Sequence, residues 1–404
     1  MAKRSFSILI LCICLISFGA VNAQSIPYRA GEVLVALKPG SNINALVATY
    51  GATVKRFLGL NVFLLGTQIG SEELLVTLLS SNLSVNWSEL DYLLPVSDVS
   101  QYSQAFVDQQ SQAFVDQRSQ AFVDGNFPPE LTQQPSMVQI KATEAQLLAS
   151  GQDVTVAVVD TGITAHPMFV NKTVPGYDFV DRDSDPSDLP GGAGYSHGAH
   201  VAGLVLLTAP KSLIMALRAF ANDGKGSVAD IYEAMIYAVD RGARLINCSF
   251  GLTTRSAALD QAVSYASGRG VLVVAAAGNR SQPNLDYPSL QKEALGITGV
   301  DSNDVKADFS NWGPQADVSA PAVSLYSSYG DGQLAWWSGT SFAVPLVCGE
   351  AALILSIIPT ATVNQLVSII TSSPDNIDDL SPMYAKSLGA GRINCLSAVK
   401  LALR

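Results

Sequence analysis

The sequence predicts an α/β protein whose larger part is a doubly wound, mostly parallel sheet, preceded by a separate small α+β unit. Three observations carry that prediction. From about residue 135 to 404, apolar runs suited to buried parallel strands recur at 154–159, 212–217, 245–249, 271–275 and 295–300, with helical stretches such as 231–241 and 257–269 between them. Before them, residues 32–94 read as β-α-β-β-α-β, a split β-α-β series. The third is composition: 404 residues, 48% hydrophobic and only 14% charged, can bury more than one core.

The elements follow in chain order. Lys3 and Arg4 precede an apolar run from about Ile8 to Gly19, and Val21-Asn22-Ala23 places small residues where a signal peptidase reads. The run is shorter than the about 20 apolar residues of a spanning helix. Residues 1–23 are therefore expected to be a cleaved secretory signal, giving a secreted chain without a membrane anchor. Of five cysteines, Cys12 and Cys14 leave with that signal, and Cys248, Cys348 and Cys395 remain. Three is odd, which favours buried thiols over a disulfide framework.

Residues 24–98 hold the small unit. A strand at 32–37 ends at Pro39-Gly40, a helix runs from Ile43 to Tyr50 with Gly51 as its stop, and strands follow at 52–57 and 61–65. A helix near 72–79 and a strand near 85–94 complete a ferredoxin-like order. Residues 99–134 are expected to be a linker. Within them Ser-Gln-Ala-Phe-Val-Asp occurs three times, from Ser103, Ser111 and Ser119, at a period of eight that matches neither helix nor strand. Residues 135–404 form the doubly wound domain.

Three segments of that domain bear chemistry: Val156-Ala157-Val158-Val159-Asp160-Thr161-Gly162, His197-Gly198-Ala199-His200-Val201-Ala202-Gly203 and Gly339-Thr340-Ser341-Phe342-Ala343-Val344-Pro345. They supply an acid, a base and a nucleophile in the order Asp, His, Ser. The same three residue types occur on unrelated folds as His-Asp-Ser or Ser-Asp-His, so the order discriminates. Order and flanks together resemble the subtilisin-like serine peptidases, a resemblance that covers residues 135–404. The small unit, in its position, resembles the inhibitor-type propeptide that precedes many of them.

Asp160 closes a buried strand, so its carboxylate should emerge at the carboxyl end of the sheet, where open α/β sheets place their sites. Of the three histidines, His197 follows a glycine-rich stretch and is the expected base; His200, one turn on, reads as packed, and His166 as part of a turn. Ser341 opens a small-residue helix whose N-terminus would face the reacting carbonyl. The resemblance further implies Asn279, in Ala275-Ala276-Ala277-Gly278-Asn279, as an oxyanion donor beside the Ser341 N–H. It implies Ser249, Phe250 and Gly251 on one side of the cleft and Gly224, Gly226 and Ser227 on the other, each pairing with an extended peptide. Ala275, Ala276 and Gly278 would leave a fairly open, apolar pocket for the residue before the scissile bond. Ala199 stands where the family usually has Thr.

Asp178, Asp181, Asp183, Asp185 and Asp188 crowd one loop. Two readings stand side by side: a structural Ca²⁺ site, since Ca²⁺ takes six to eight oxygens, and a solvated acidic loop. A formal net charge of −10 argues against a nucleic-acid partner. The expected partners are polypeptide substrates and the chain's own propeptide as an intramolecular inhibitor, with no cofactor for catalysis. The alternatives are a catalytically silent binding protein on the same fold, and an esterase using the same three residues.

Overall fold

The computed structural model describes residues 26–96, 106–107 and 127–404. The expected signal and most of the octads lie outside these residues. The small unit has the expected order: β1 (Tyr28–Leu37), α1 (Ile43–Tyr50), β2 (Thr53–Gly59), β3 (Val62–Gly66), α2 (Glu72–Ser80) and β4 (Val85–Pro95). Its strands pair antiparallel in the order β2-β3-β1-β4. Asn42 caps α1 by accepting the Asn44 and Ala45 N–H groups, and Gly51 ends it at φ 66. The unbroken apolar run in β1 serves two cores. Val33, Val35 and Leu37 pack with Leu46, Leu75 and Leu79 under the unit's own helices, while Leu34 and Ala36 face the larger domain.

The larger domain contains β5 (Thr155–Asp160), β6 (Thr173–Asp178), α3 (His197–Thr208), β7 (Leu213–Arg218), β8 (Lys225–Ser227), α4 (Val228–Asp240), β9 (Leu245–Cys248) and α5 (Ala257–Gly268). It continues with β10 (Leu272–Ala276), β11 (Ala294–Val300), β12 (Val318–Pro321), β13 (Leu325–Tyr329), β14 (Gln333–Trp337), α6 (Thr340–Ile357), α7 (Val363–Ser372) and α8 (Cys395–Ala402). Seven strands form a parallel sheet in the order β12-β11-β10-β9-β5-β7-β6. α3 and α6 pack on one face, α4 and α5 on the other, where the small unit docks. α6 is apolar and long enough to cross a membrane, but most of it is buried and it forms the centre of this core. Cys248, Cys348 and Cys395 are free and buried.

Docking extends the small sheet across the boundary. β4 pairs antiparallel with β8, setting Leu93, Leu94 and Pro95 opposite Ser227, Gly226 and Lys225, and the Val96 N–H donates to Gly224 O at 2.9 Å. Two carboxylates of β4 meet two helix N-termini, where free N–H groups favour negative charge. Glu89 accepts from Ser256 Oγ, Ala257 N and Ala258 N at 2.7, 2.8 and 3.1 Å. Asp91 accepts from Ala229 N at 2.9 Å. Arg29 and Arg56 of the small unit both reach Asp230, at 2.9 and 2.8 Å.

Burial pushes the Asp91 carboxyl up to about 8, opposed by the Ala229 N–H and Arg29 and reinforced by Asp230 and Glu32. A raised carboxyl holds its proton more tightly when docked than when free, so this contribution to docking is full at low pH and is lost as pH rises through about 8. In the Ser341→Ala chain, the urea midpoint for release of the small unit should therefore fall as pH rises through that range. Asp91→Asn should reduce the dependence, leaving the part that Glu89, also raised by burial, contributes; an unchanged slope would refute the assignment.

Candidate active site

Asp160 is the last residue of β5, the strand at which the sheet's winding reverses direction, and it is 0% exposed. Its Oδ1 accepts the Thr161 N–H at 2.8 Å and pairs with His197 Nδ1 at 2.7 Å. His197 opens α3, and its ring lies edge-on to Trp337 and against Phe342, with centroids 5.6 and 5.2 Å away. With Nδ1–H donated to Asp160, Nε2 is the imidazole atom left to accept a proton.

Ser341 is the second residue of α6, after Gly339 at φ 154, a conformation that favours glycine. Pro345 has no N–H to donate back to the Ser341 carbonyl four residues earlier. That carbonyl is taken instead by Ser249 Oγ at 2.6 Å, which ties the start of α6 to the end of β9. Ser341 Oγ donates to Ser249 O at 3.0 Å and to Val96 O at 3.2 Å, rather than to His197 Nε2. Asp160 and His197 are thus joined, while the nucleophile is turned to the end of the strand that enters from the small unit.

Asn279 spends its Oδ1 on Thr340 N and Thr340 Oγ1, at 2.9 and 2.8 Å, which orients the amide and leaves Nδ2 as its donor beside Ser341. Gly224, Gly226 and Ser227 give backbone pairing to the chain's own β4 and Val96 on one side of the cleft. Ser227 itself is buried and caps α4. On the other side Gly251 and Phe250 border the cavity next to Ser341, but the Phe250 ring packs in the core against Phe220.

The cavity bordering Ser341 holds about 20 Å³ with Pro95 and Val96 of the small unit in its wall, the space left beside the docked strand; Arg280 and Asp286, an ion pair, form another part of the wall. A Cβ on Gly278 would run into the Asp286 carboxylate. Ala275 points into the core on the α4 and α5 side and does not line this cavity. No motif or spacing marks Asp286 as a cleft residue. A larger, more open depression of about 760 Å³, lined by Thr164, His166 and Val174 among others, contains none of the site residues.

His166 and His200 are structural. His166 accepts the Met168 N–H and bonds Gln333 O, and His200 Nε2 bonds Ala335 O. Burial pushes them down to about 4 and about 3. The acidic loop does not converge. Asp178 and Asp181 pair with Arg218, while Asp183 and Asp185 accept N–H groups within their own turn. Asp188 turns inward to Thr161 and Ser196. Among the described residues no group of three or more His, Cys, Asp or Glu side chains is placed to hold a metal ion.

The sequence model described as Subtilase family matches residues 151–391. The chain belongs to the subtilase family. Thermitase of Thermoactinomyces vulgaris is 37% identical over 273 residues, 65% of this chain and 94% of that protein. Subtilisin DY of Bacillus licheniformis is 37% identical over 263 residues, 62% of this chain and 93% of that protein. Among solved structures, fervidolysin of Fervidobacterium pennivorans superposes over 92% of this chain and 61% of its own with a TM-score of 0.72, at 20% identity, a likeness of fold. This subtilase is a subtilisin-like serine endopeptidase on a doubly wound α/β sheet.

His197→Ala should abolish peptide hydrolysis, whereas His200→Ala should leave it in whatever fraction folds; the reverse pattern would displace His197 as the base. Asn279→Ala should lower kcat by about 10²–10³ with little change in KM, the cost known for loss of the same donor in subtilisin. A kcat within a factor of about 2–3 of wild type would remove Asn279 from the oxyanion site.

Proposed function

We propose that this subtilase is secreted and made as a zymogen, with residues 1–23 as signal, 24–98 as an inhibitory propeptide and 135–404 as the enzyme. In the reaction Asp160 holds the His197 tautomer, and His197 Nε2 takes the Ser341 Oγ proton as Oγ attacks the scissile carbonyl. Asn279 Nδ2 and the Ser341 N–H receive the charge that develops on the carbonyl oxygen. His197 then gives its proton to the leaving amine, and water repeats the sequence on the acyl-enzyme. Every role is filled by a side chain or backbone group of this chain, and the reading calls on no cofactor for the chemistry.

One observation carries the zymogen reading. Leu93 to Pro95 lie in the cleft as an added strand along β8, and the carbonyl of Val96, the residue after that strand, meets Ser341 Oγ at 3.2 Å. A polypeptide substrate would use the same edge. Because cleft and strand share one chain, the first cut draws on an effective concentration in the millimolar range or above.

The first scissile bond is then Val96–Ser97 or Ser97–Asp98, within the last residues of the 24–98 segment. The secreted wild-type protein should begin at Ser97 or Asp98, or at a later residue after trimming of the linker, and Ser341→Ala should be secreted still carrying residues from about Gln24. N-terminal sequencing of both, from a host without other secreted proteases, checks this. Identical N-termini would mean that an outside protease matures the chain.

A further inference from the structure

Asp188 comes from the acidic loop but differs from its neighbours. It is 6% exposed, and its Oδ2 accepts two hydrogen bonds, from Thr161 Oγ1 at 2.6 Å and from the Ser196 N–H at 2.8 Å. Thr161 Oγ1 in turn accepts the Gly198 N–H at 3.0 Å. A single buried carboxylate therefore joins the residue after Asp160 to the residues on both sides of His197. Thr161 works in two directions: its N–H holds Asp160 Oδ1, and its hydroxyl holds Asp188.

Ser196 shows why such a tie is needed. It stands at φ 68, a left-handed conformation that a non-glycine residue keeps only when its surroundings over-determine it. Asp188 fixes its N–H, and its Oγ accepts the Gly330 N–H at 2.6 Å. Relaxing Ser196 would swing the first turn of α3, and the imidazole of His197 would swing with it.

We propose that Asp188 is a positioning residue that sets the Asp160–His197 hydrogen bond by holding Thr161 and Ser196 in one frame. The proposal rests on the triad described above. Burial pushes the Asp188 carboxyl up to about 7; Thr161 and Ser196 oppose the rise, Asp160 adds to it and Arg218 opposes it. Tyr195 and Tyr329 also feel its charge. As pH falls through about 7 the carboxyl becomes neutral and a weaker acceptor, so the frame loosens toward acid pH.

The test compares Asp188→Ala, Asp188→Asn, Thr161→Val and Thr161→Ser by kcat and KM on a peptide anilide, and by the low-field proton resonance of His197 Nδ1. Asp188→Ala and Thr161→Val should lose about 10²-fold in kcat with KM nearly unchanged, the cost of a displaced catalytic group. Asp188→Asn can place its amide oxygen where Oδ2 stands, so it should keep most of kcat. Its kcat/KM should lose the pH dependence that the Asp188 carboxyl contributes near 7. Thr161→Ser should restore what Thr161→Val loses. The resonance should weaken in the first pair and persist in the second. Because it needs no turnover, it separates failure of this proposal from failure of the peptidase reading. Wild-type kcat and resonance in Asp188→Ala would overturn the proposal, as would a lost kcat with the resonance intact or a change confined to KM. If Asp188→Ala does not fold, the Thr161 pair makes the same decision.

Discussion

The hydrogen bond between Asp160 and His197 is made where neither side chain meets solvent, and much of the structure exists to make that tolerable. Breaking a buried pair by removing one partner typically costs 3–5 kcal/mol, because the other is left uncompensated. The fold answers with a strand end that delivers the Thr161 N–H to the same carboxylate oxygen. A helix begins at the imidazole, and Trp337 and Phe342 confine its ring. The large sheet, with helices on both faces, supplies the dry interior in which these groups keep one arrangement.

The second constraint is that a cleft built to pair with an extended peptide is an unpaired strand edge, and such edges attract strands. Here the edge at β8 is filled by the chain's own β4. The same backbone groups that would bind a substrate thus take part in docking the small unit, and the carboxyls of Glu89 and Asp91 accept further hydrogen bonds at two helix N-termini. In the zymogen reading, inhibition and substrate recognition are one interaction, and cutting the strand converts the first into the second.

Much of this was legible in the sequence, for identifiable reasons. The split unit was readable because Gly51 and the Pro39-Gly40 pair punctuate it, and the five inner strands because burial on both faces makes them apolar runs. The edge strands β6 and β12 were not, since Pro175 and Gly176 interrupt one and the other is four residues ending in Pro321. The β13–β14 hairpin turns at Gly330-Asp331-Gly332, and its strands are short, with serines breaking the apolar run of β13. Asp160, His197, Ser341 and Asn279 stand out in the sequence because each sits in a local motif. Asp188 stands out only as one of a run of acidic residues, and Asp286 and Trp337 not at all, because no local motif encodes their contacts. The octads, read as linker, make one described contact: Phe106 and Val107 pair antiparallel with Trp336 and Ala335.

The central claim, that His197 and Asp160 activate Ser341 and no other serine, is tested most directly by intact-mass and peptide mapping of the matured protein after reaction with a fluorophosphonate. One adduct, on Ser341, that forms at neutral pH and is absent from His197→Ala is the predicted result. No adduct on the matured wild type, or an adduct on a different serine, would contradict it.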